Sequence, residues 1–202
     1  MQDFFSIHKL IKYFLFLSLG VICGGCTQAI LTAGATTGVA ISQERTLGDV
    51  IDDTAIVVNI KDKLFSLSDD VFLRVSIKSS EGRVLLTGNV AITEHRIEAS
   101  KIAWNTKGVK EVYNEINVRD RSNIKNYFKD ILISNELRLR LLREKNISAL
   151  NYTIETVNKV VYIMGIARTN DELSLVIEQA RNIRGVEKVL SYVILKDDKR
   201  RE

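Results

Sequence analysis

The chain lacks proline altogether and has only two cysteines, Cys23 and Cys26, in 202 residues. Without proline, one class of loop punctuation is missing, and Gly, Asn, Asp and Ser must mark the turns. Both thiols lie within the first 26 residues, so no disulfide framework can brace the remainder, which must be stabilised by packing. Histidine is almost as scarce: His8 and His95 are the only two, and their positions lack the paired spacing of a zinc site. No nucleophile, base and orienting group recur at usable spacing, and no Gly-rich phosphate loop follows a strand, so no catalytic residue is expected. Nor does charge of one sign accumulate. The 29 basic and 25 acidic side chains give a formal +4, too mild for a nucleic-acid partner but compatible with an anionic lipid surface. What is present, 46% hydrophobic and 27% charged residues, is an ordinary globular mixture sufficient for one domain or two small ones.

Residues 1–25 have the pattern of an export leader. Lys9 and Lys12 precede an uncharged run, YFLFLSLGVI, from Tyr13 to Ile22, which is far shorter than the roughly 20 residues a membrane-spanning helix needs. Gly24 and Gly25 then stand before Cys26, and the segment resembles the lipobox of bacterial lipoproteins, with Cys23 where an aliphatic residue is usual. Cys26 is expected to become the lipid-bearing first residue. Cleavage there removes Lys9, Lys12 and Asp3 and leaves 27 basic against 24 acidic side chains. The C-x-x-C spacing of Cys23 and Cys26 also occurs in redox pairs and metal sites, but the further ligands and the strand-to-helix context are missing. Thr27, the residue after the cysteine, resembles an outer-membrane address. Small residues dominate to Gly48, giving an expected tether over 26–49 or, alternatively, a small-residue helix.

An internal comparison supplies the architecture. Shifting the chain by about 77 residues superposes its second half on its first: the run RVLLTGNV falls on VVYIMGIA with Gly88 on Gly165, and Gly108 to Val112 falls on Gly185 to Val189. Ile56, Ile60 and Leu64 map onto Ile133, Leu137 and Leu141, the i, i+4, i+8 spacing of a helix with one buried face. In each copy two β-rich runs follow, FLRVSIKS and RVLLTGNV, then NYTIETV and VVYIMGI, separated by Ser80-Glu81-Gly82 and Asn158-Lys159. Turn residues between such runs predict hairpins. Thr93 and Asn170 are expected N-caps of a second helix, which in copy two carries Leu173, Val176, Ile177, Ala180 and Ile183 and stops at Gly185, as its counterpart stops at Gly108. A last strand closes each unit. The expected fold class is α+β: two tandem units over 50–120 and 127–196, each helix-strand-strand-helix-strand with helices on one face of a small mixed sheet, followed by a solvated charged tail at 197–202.

This order of motifs resembles tandem BON-domain lipoproteins of the outer membrane. The likeness spans nearly the whole chain and is carried by the lipobox with its tether, GDVIDD at Gly48 to Asp53, Gly82 to Gly88, and Glu111 to Ile116. It implies a protein held at the outer membrane, facing the periplasm, that binds anionic phospholipid chiefly through the first helix of the second domain. It further implies support of envelope integrity without catalysis, no cofactor beyond the covalent lipid on Cys26, and a monomer with packed domains. An adaptor for envelope assembly or cell-wall remodelling proteins is the alternative.

The repeat offers a separate test of that helix, because residues needed only for the fold should be alike in both copies. Leu132 and Leu139 differ from their counterparts Ala55 and Asp62. At 100° per residue they lie within about 20° of one another and roughly 140° from the core stripe. Arg143 shares their side of the helix, and Arg138, Arg140 and Lys145 flank it. Exposed leucines among arginines suit an interfacial helix, with guanidinium groups meeting phosphate oxygens; alternatively the leucines pack on the first domain and the arginines are solvated. His95 is expected at the surface, and Trp104 in packing.

Overall fold

The computed structural model describes residues 44–119 and 124–201. The leader, Cys26 and most of the expected tether lie outside the described residues. Each copy begins with a long helix, α1 over Leu47–Leu67 in the first; the second copy's counterpart runs over Ile124–Arg143. Ile56, Ile60 and Leu64, and again Ile133, Leu137 and Leu141, are buried, one stripe per helix as the 3.6-residue period requires. The helix in copy one starts before the boundary expected at residue 50. Thr46 Oγ1 accepts the Asp49 N–H at 3.1 Å and the Asp49 carboxylate accepts the Thr46 N–H at 2.9 Å, a reciprocal capping box.

After α1 the first copy departs from its sequence reading. Phe72 to Arg74 belong to a short helix, α2 over Asp69–Arg74, rather than to a strand. Asp69 and Asp70 sit in its first turn and Arg74 in its last, each favourable to the helix dipole. There follow β1 (Val75–Ser80), β2 (Arg83–Val90), α3 (Thr93–Trp104) and β3 (Glu111–Val118). The second copy has α4 (Ile124–Arg143), a 3-10 turn at Ala149–Asn151 that takes Asn151 out of the expected strand, then β4 (Tyr152–Val157), β5 (Val160–Ala167), α5 (Asn170–Arg181) and β6 (Lys188–Leu195). β2 pairs antiparallel with β1 and parallel with β3, and β5 does the same with β4 and β6. Both sheets are therefore mixed.

The caps fall one residue earlier than expected. Thr93 and Asn170 are the first helical residues; Thr169, not Asn170, accepts the Glu172 N–H, and Ile92 offers no side-chain cap. Nor do Gly108 and Gly185 stop the helices, which end at Trp104 and Arg181 with Asn105 and Asn182 as C-caps. Ile183 consequently lies beyond α5, although it is still buried. Gly88 and Gly165, paired by the repeat, have a different role. Their φ values are +131° and +147°, and a Cβ would lie 2.0 Å from the carbonyl oxygen of Arg74 or Asn151, so only glycine lets these strands approach so closely.

An aspartate on each first helix holds the hairpin turn beneath it. Asp53 accepts the N–H groups of Glu81 and Gly82 at 2.7 and 2.9 Å and the Ser79 hydroxyl at 2.6 Å, and it pairs with Arg45. Asp130 accepts the N–H groups of Asn158 and Lys159, each at 2.8 Å. Glu81, Asn158 and Lys159 have φ of 55°, 51° and 65°, a conformation costly for non-glycine residues. Fixing their amides from the helix offsets that cost.

The helices cover one face of each sheet, and the other faces meet. Leu85, Val157, Tyr162 and Met164 form a third buried cluster beside the two domain cores, with Tyr113, Leu190 and Tyr192 packed on it. β2 and β5 are thus enclosed on both sides, which explains why β2 is buried at every position and shows no alternation. The result is four layers, helix, sheet, sheet, helix, with the start of α4 reaching back toward the first domain, where Tyr127 and Asp130 line one groove with Lys61 and Leu73. Arg83 crosses the seam and donates to the carbonyl oxygens of Tyr192 (2.8 Å) and Gly165 (3.2 Å). Burial lowers its pKa against the opposing influence of Tyr113 and Glu81. Asn158 donates to Asn89 at 2.7 Å, the Tyr192 hydroxyl donates to Glu115 at 2.6 Å, and the Tyr113 and Tyr192 rings lie 4.2 Å apart.

The charged tail is docked rather than simply solvated. Arg201 binds both carboxylate oxygens of Glu81 (2.8 and 2.9 Å) and the carbonyl oxygen of Glu44 (2.7 Å), while the Glu44 N–H donates to Asn151 at 3.0 Å. The start of the described chain, the β1–β2 turn and the C-terminus are thereby joined.

A candidate interfacial helix

Helix α4 has two faces with different owners. Ile133, Leu137 and Leu141 enter the core, and Asp130 and Ser134 on the same side are buried, Ser134 donating to Thr156 at 2.7 Å. The opposite face is apolar yet uncovered. Leu132 is 68% exposed and Leu139 52%, so neither packs against the first domain. They do not stand alone: Phe128 (61%), Leu142 (62%) and, more obliquely, Ile131 (38%) are exposed beside them. On a wheel of 100° per residue, Phe128, Leu132, Leu139 and Leu142 span about 80°. Asn135 is the polar residue within that arc.

The basic residues divide into engaged and available groups. Arg138 is tied to the sheet through the Ile154 carbonyl oxygen at 2.8 Å and to Asn135 at 2.9 Å. Arg140 pairs with Glu136 at 2.6 Å and reaches the Asn182 carbonyl oxygen at 3.4 Å. Arg143 is exposed and, among the described residues, makes no hydrogen bond or ion pair; the same holds for Lys129 on the preceding turns. Cations therefore flank the apolar stripe, and Arg143 and Lys129 are the exposed ones with no partner among the described residues.

Leu142 and Phe128 escape the repeat comparison for a definite reason. Their counterparts, Phe65 and Ile51, are also apolar, so likeness between copies marks them as core, yet all four side chains are exposed. The angular position on the helix was the available signal. His95 is half-buried in the first turn of α3, its Nδ1 lacking a hydrogen-bond partner, and it occupies the repeat position of Glu172. Trp104, expected in packing, is half exposed. Among the described residues no cluster of His, Cys, Asp or Glu could hold a metal ion, and no helix is long and apolar enough to cross a membrane.

Comparison with known proteins agrees with the repeat. The BON domain model matches residues 52–120 and again 130–196, leaving the first turns of α1 and α4, with Ile51 and Phe128, outside the matched segments. A protein of Anaplasma centrale described as "Uncharacterized protein in gshII 5'region" is 42% identical over 75% of this chain and 99% of its own length. The "Outer membrane lipoprotein DolP" of Haemophilus influenzae is 25% identical over 92% of this chain and 96% of its own. The "21 kDa hemolysin" of Actinobacillus pleuropneumoniae is 27% identical over 74% and 77%. Two family matches in series, each containing one helix-strand-strand-helix-strand unit, account for every described sheet, and the chain belongs to the BON domain family as a tandem, dual-BON protein.

Proposed function

We propose that this chain is a non-enzymatic lipoprotein, anchored at the outer membrane through lipid on Cys26, that binds anionic phospholipid through α4 and supports envelope integrity. The observation that carries the reading is the uncovered stripe of Phe128, Leu132, Leu139 and Leu142 beside the exposed Arg143 and Lys129. A helix of this kind lies in the membrane interface, its apolar side chains among acyl chains and its cations at the phosphates. The name of the Haemophilus influenzae relative supports the location. Glu44 lies eighteen residues beyond Cys26, a reach of at most about 65 Å when extended. Tethering raises the local lipid concentration, so α4 need bind only weakly.

The test uses a soluble Cys26→Ser form of the mature chain and vesicles with or without phosphatidylglycerol. Phosphatidylglycerol vesicles are expected to broaden NMR signals from Phe128 to Arg143, and Leu139→Asp to weaken binding about tenfold or more, given roughly 1.5–3 kcal/mol for burying a leucine. Spectra unchanged by vesicles would sink the proposal.

A further inference from the structure

The same repeat comparison applied to the second helices isolates another surface. In the first domain Ile92, just before α3, and Ile97 and Trp104 on it are exposed, Ile97 at 47% and Trp104 at 52%. Their repeat positions in copy two are Thr169, Ser174 and Arg181, the polar residues expected of a solvated helix. Ile97 and Trp104 lie seven residues apart, on one side of α3, and line a cavity of about 510 Å³ bounded across α3 and β3 by Thr93, Ser100 and Asn114. Arg96 and Lys101 are the only charged residues in its lining. Arg96 leans on β3, donating to the Asn114 carbonyl oxygen at 3.4 Å, and Lys101 pairs with Glu98 at 2.6 Å. Copy two again differs, placing Glu178 where copy one has Lys101.

We propose that this groove docks a protein segment whose apolar anchor enters between Ile97 and Trp104 and whose flanking carboxylates meet Arg96 and Lys101. The lining carries the cations Arg96 and Lys101 and no carboxylate, which favours an anionic occupant, and tryptophan and arginine are enriched among the residues that anchor protein contacts. The position of α3 argues against the bilayer as that occupant. α3 and α4 lie in the two outer layers, separated by both sheets, so α4 resting on the membrane turns α3 away from it. That step rests on the lipid-binding reading; the charge and the divergence between copies do not.

Trp104 is the only tryptophan, so its emission reports directly on the groove. The mature Cys26→Ser chain is titrated with two synthetic amphipathic helical peptides sharing one leucine face, flanked in one by glutamate and in the other by lysine. Phosphatidylglycerol vesicles form a third arm. A saturable blue shift with the glutamate peptide alone is expected, with affinity falling about tenfold in Arg96→Glu and Lys101→Glu, since reversing a facing charge acts on both encounter and retention. The same shift in Leu139→Asp, where vesicle binding is expected to be weakened, supports the groove independently of α4. No response to the glutamate peptide, an equal response to both peptides, or a vesicle-induced Trp104 shift that persists in Leu139→Asp would each overturn the proposal.

Discussion

Glu172 shows how one side chain couples the second domain to pH. Its carboxylate is buried and accepts the N–H groups of Ser148 (2.7 Å) and Arg168 (2.9 Å) and the Arg168 guanidinium (3.0 Å). Burial alone would raise its pKa, but those donors together outweigh it and hold the carboxyl below the ordinary glutamate range. A folded-state pKa below the unfolded one means stability that is fully present above about pH 4.3, the unperturbed value, and is lost as pH falls through the folded value. Glu172→Gln should therefore cost about 1–3 kcal/mol at neutral pH, the usual range for leaving buried donors poorly paired. It should also flatten the loss of stability between pH 5 and 3. Urea unfolding across that range measures both effects; identical acid slopes in the two proteins would assign the sensitivity elsewhere.

Helix α4 combines three assignments, and only some were legible as a sequence. The core stripe of Ile133, Leu137 and Leu141 follows from periodicity, and the exposure of Leu132 and Leu139 follows from their difference from Ala55 and Asp62. The wider stripe did not follow, because Phe128 and Leu142 are apolar in both copies, and neither did the fixation of Arg138 by the Ile154 carbonyl oxygen, which depends on the path of β4. Phe72 to Arg74 form a turn of helix where the sequence predicts strand, because Phe72 and Leu73 before an arginine fit either, and periodicity cannot separate the two over so few residues. Asp130 went unread for another reason: a carboxylate aimed at a turn 28 residues away leaves no local pattern. Its removal separates the faces of the helix. Asp130→Ala should lower second-domain stability by about 1–3 kcal/mol while leaving vesicle binding intact below the melting transition, the reverse of Leu139→Asp. Thermal unfolding and vesicle cosedimentation on both variants test this. Lost binding by folded Asp130→Ala would mean that the turn, and not the exposed stripe, governs the contact.

The contacts between the two copies are unequal: β2 touches β4 without a matching contact of β5 on β1 among the larger ones. Lys78 and Glu155 occupy the same repeat position on β1 and β4, and instead of opposing like with like they pair at 3.3 Å. Arg83 likewise reaches the Gly165 and Tyr192 carbonyl oxygens, whereas its counterpart Val160 has no side-chain donor to return. A single small sheet with two helices has a thin core, and the cluster of Leu85, Val157, Tyr162 and Met164 adds apolar burial that neither domain has alone. Stability should accordingly be shared. Met164→Ala, a change wholly within the second domain, should destabilise the protein by about 2–5 kcal/mol. Because the sole tryptophan, Trp104, lies in the first domain, its emission then reports whether the damage crosses the seam. Coupled domains move the Trp104 unfolding midpoint to lower urea together with the circular dichroism midpoint. A Trp104 transition unmoved by Met164→Ala would mean that the domains fold as separate beads, with the sheet-to-sheet contact contributing position but little stability.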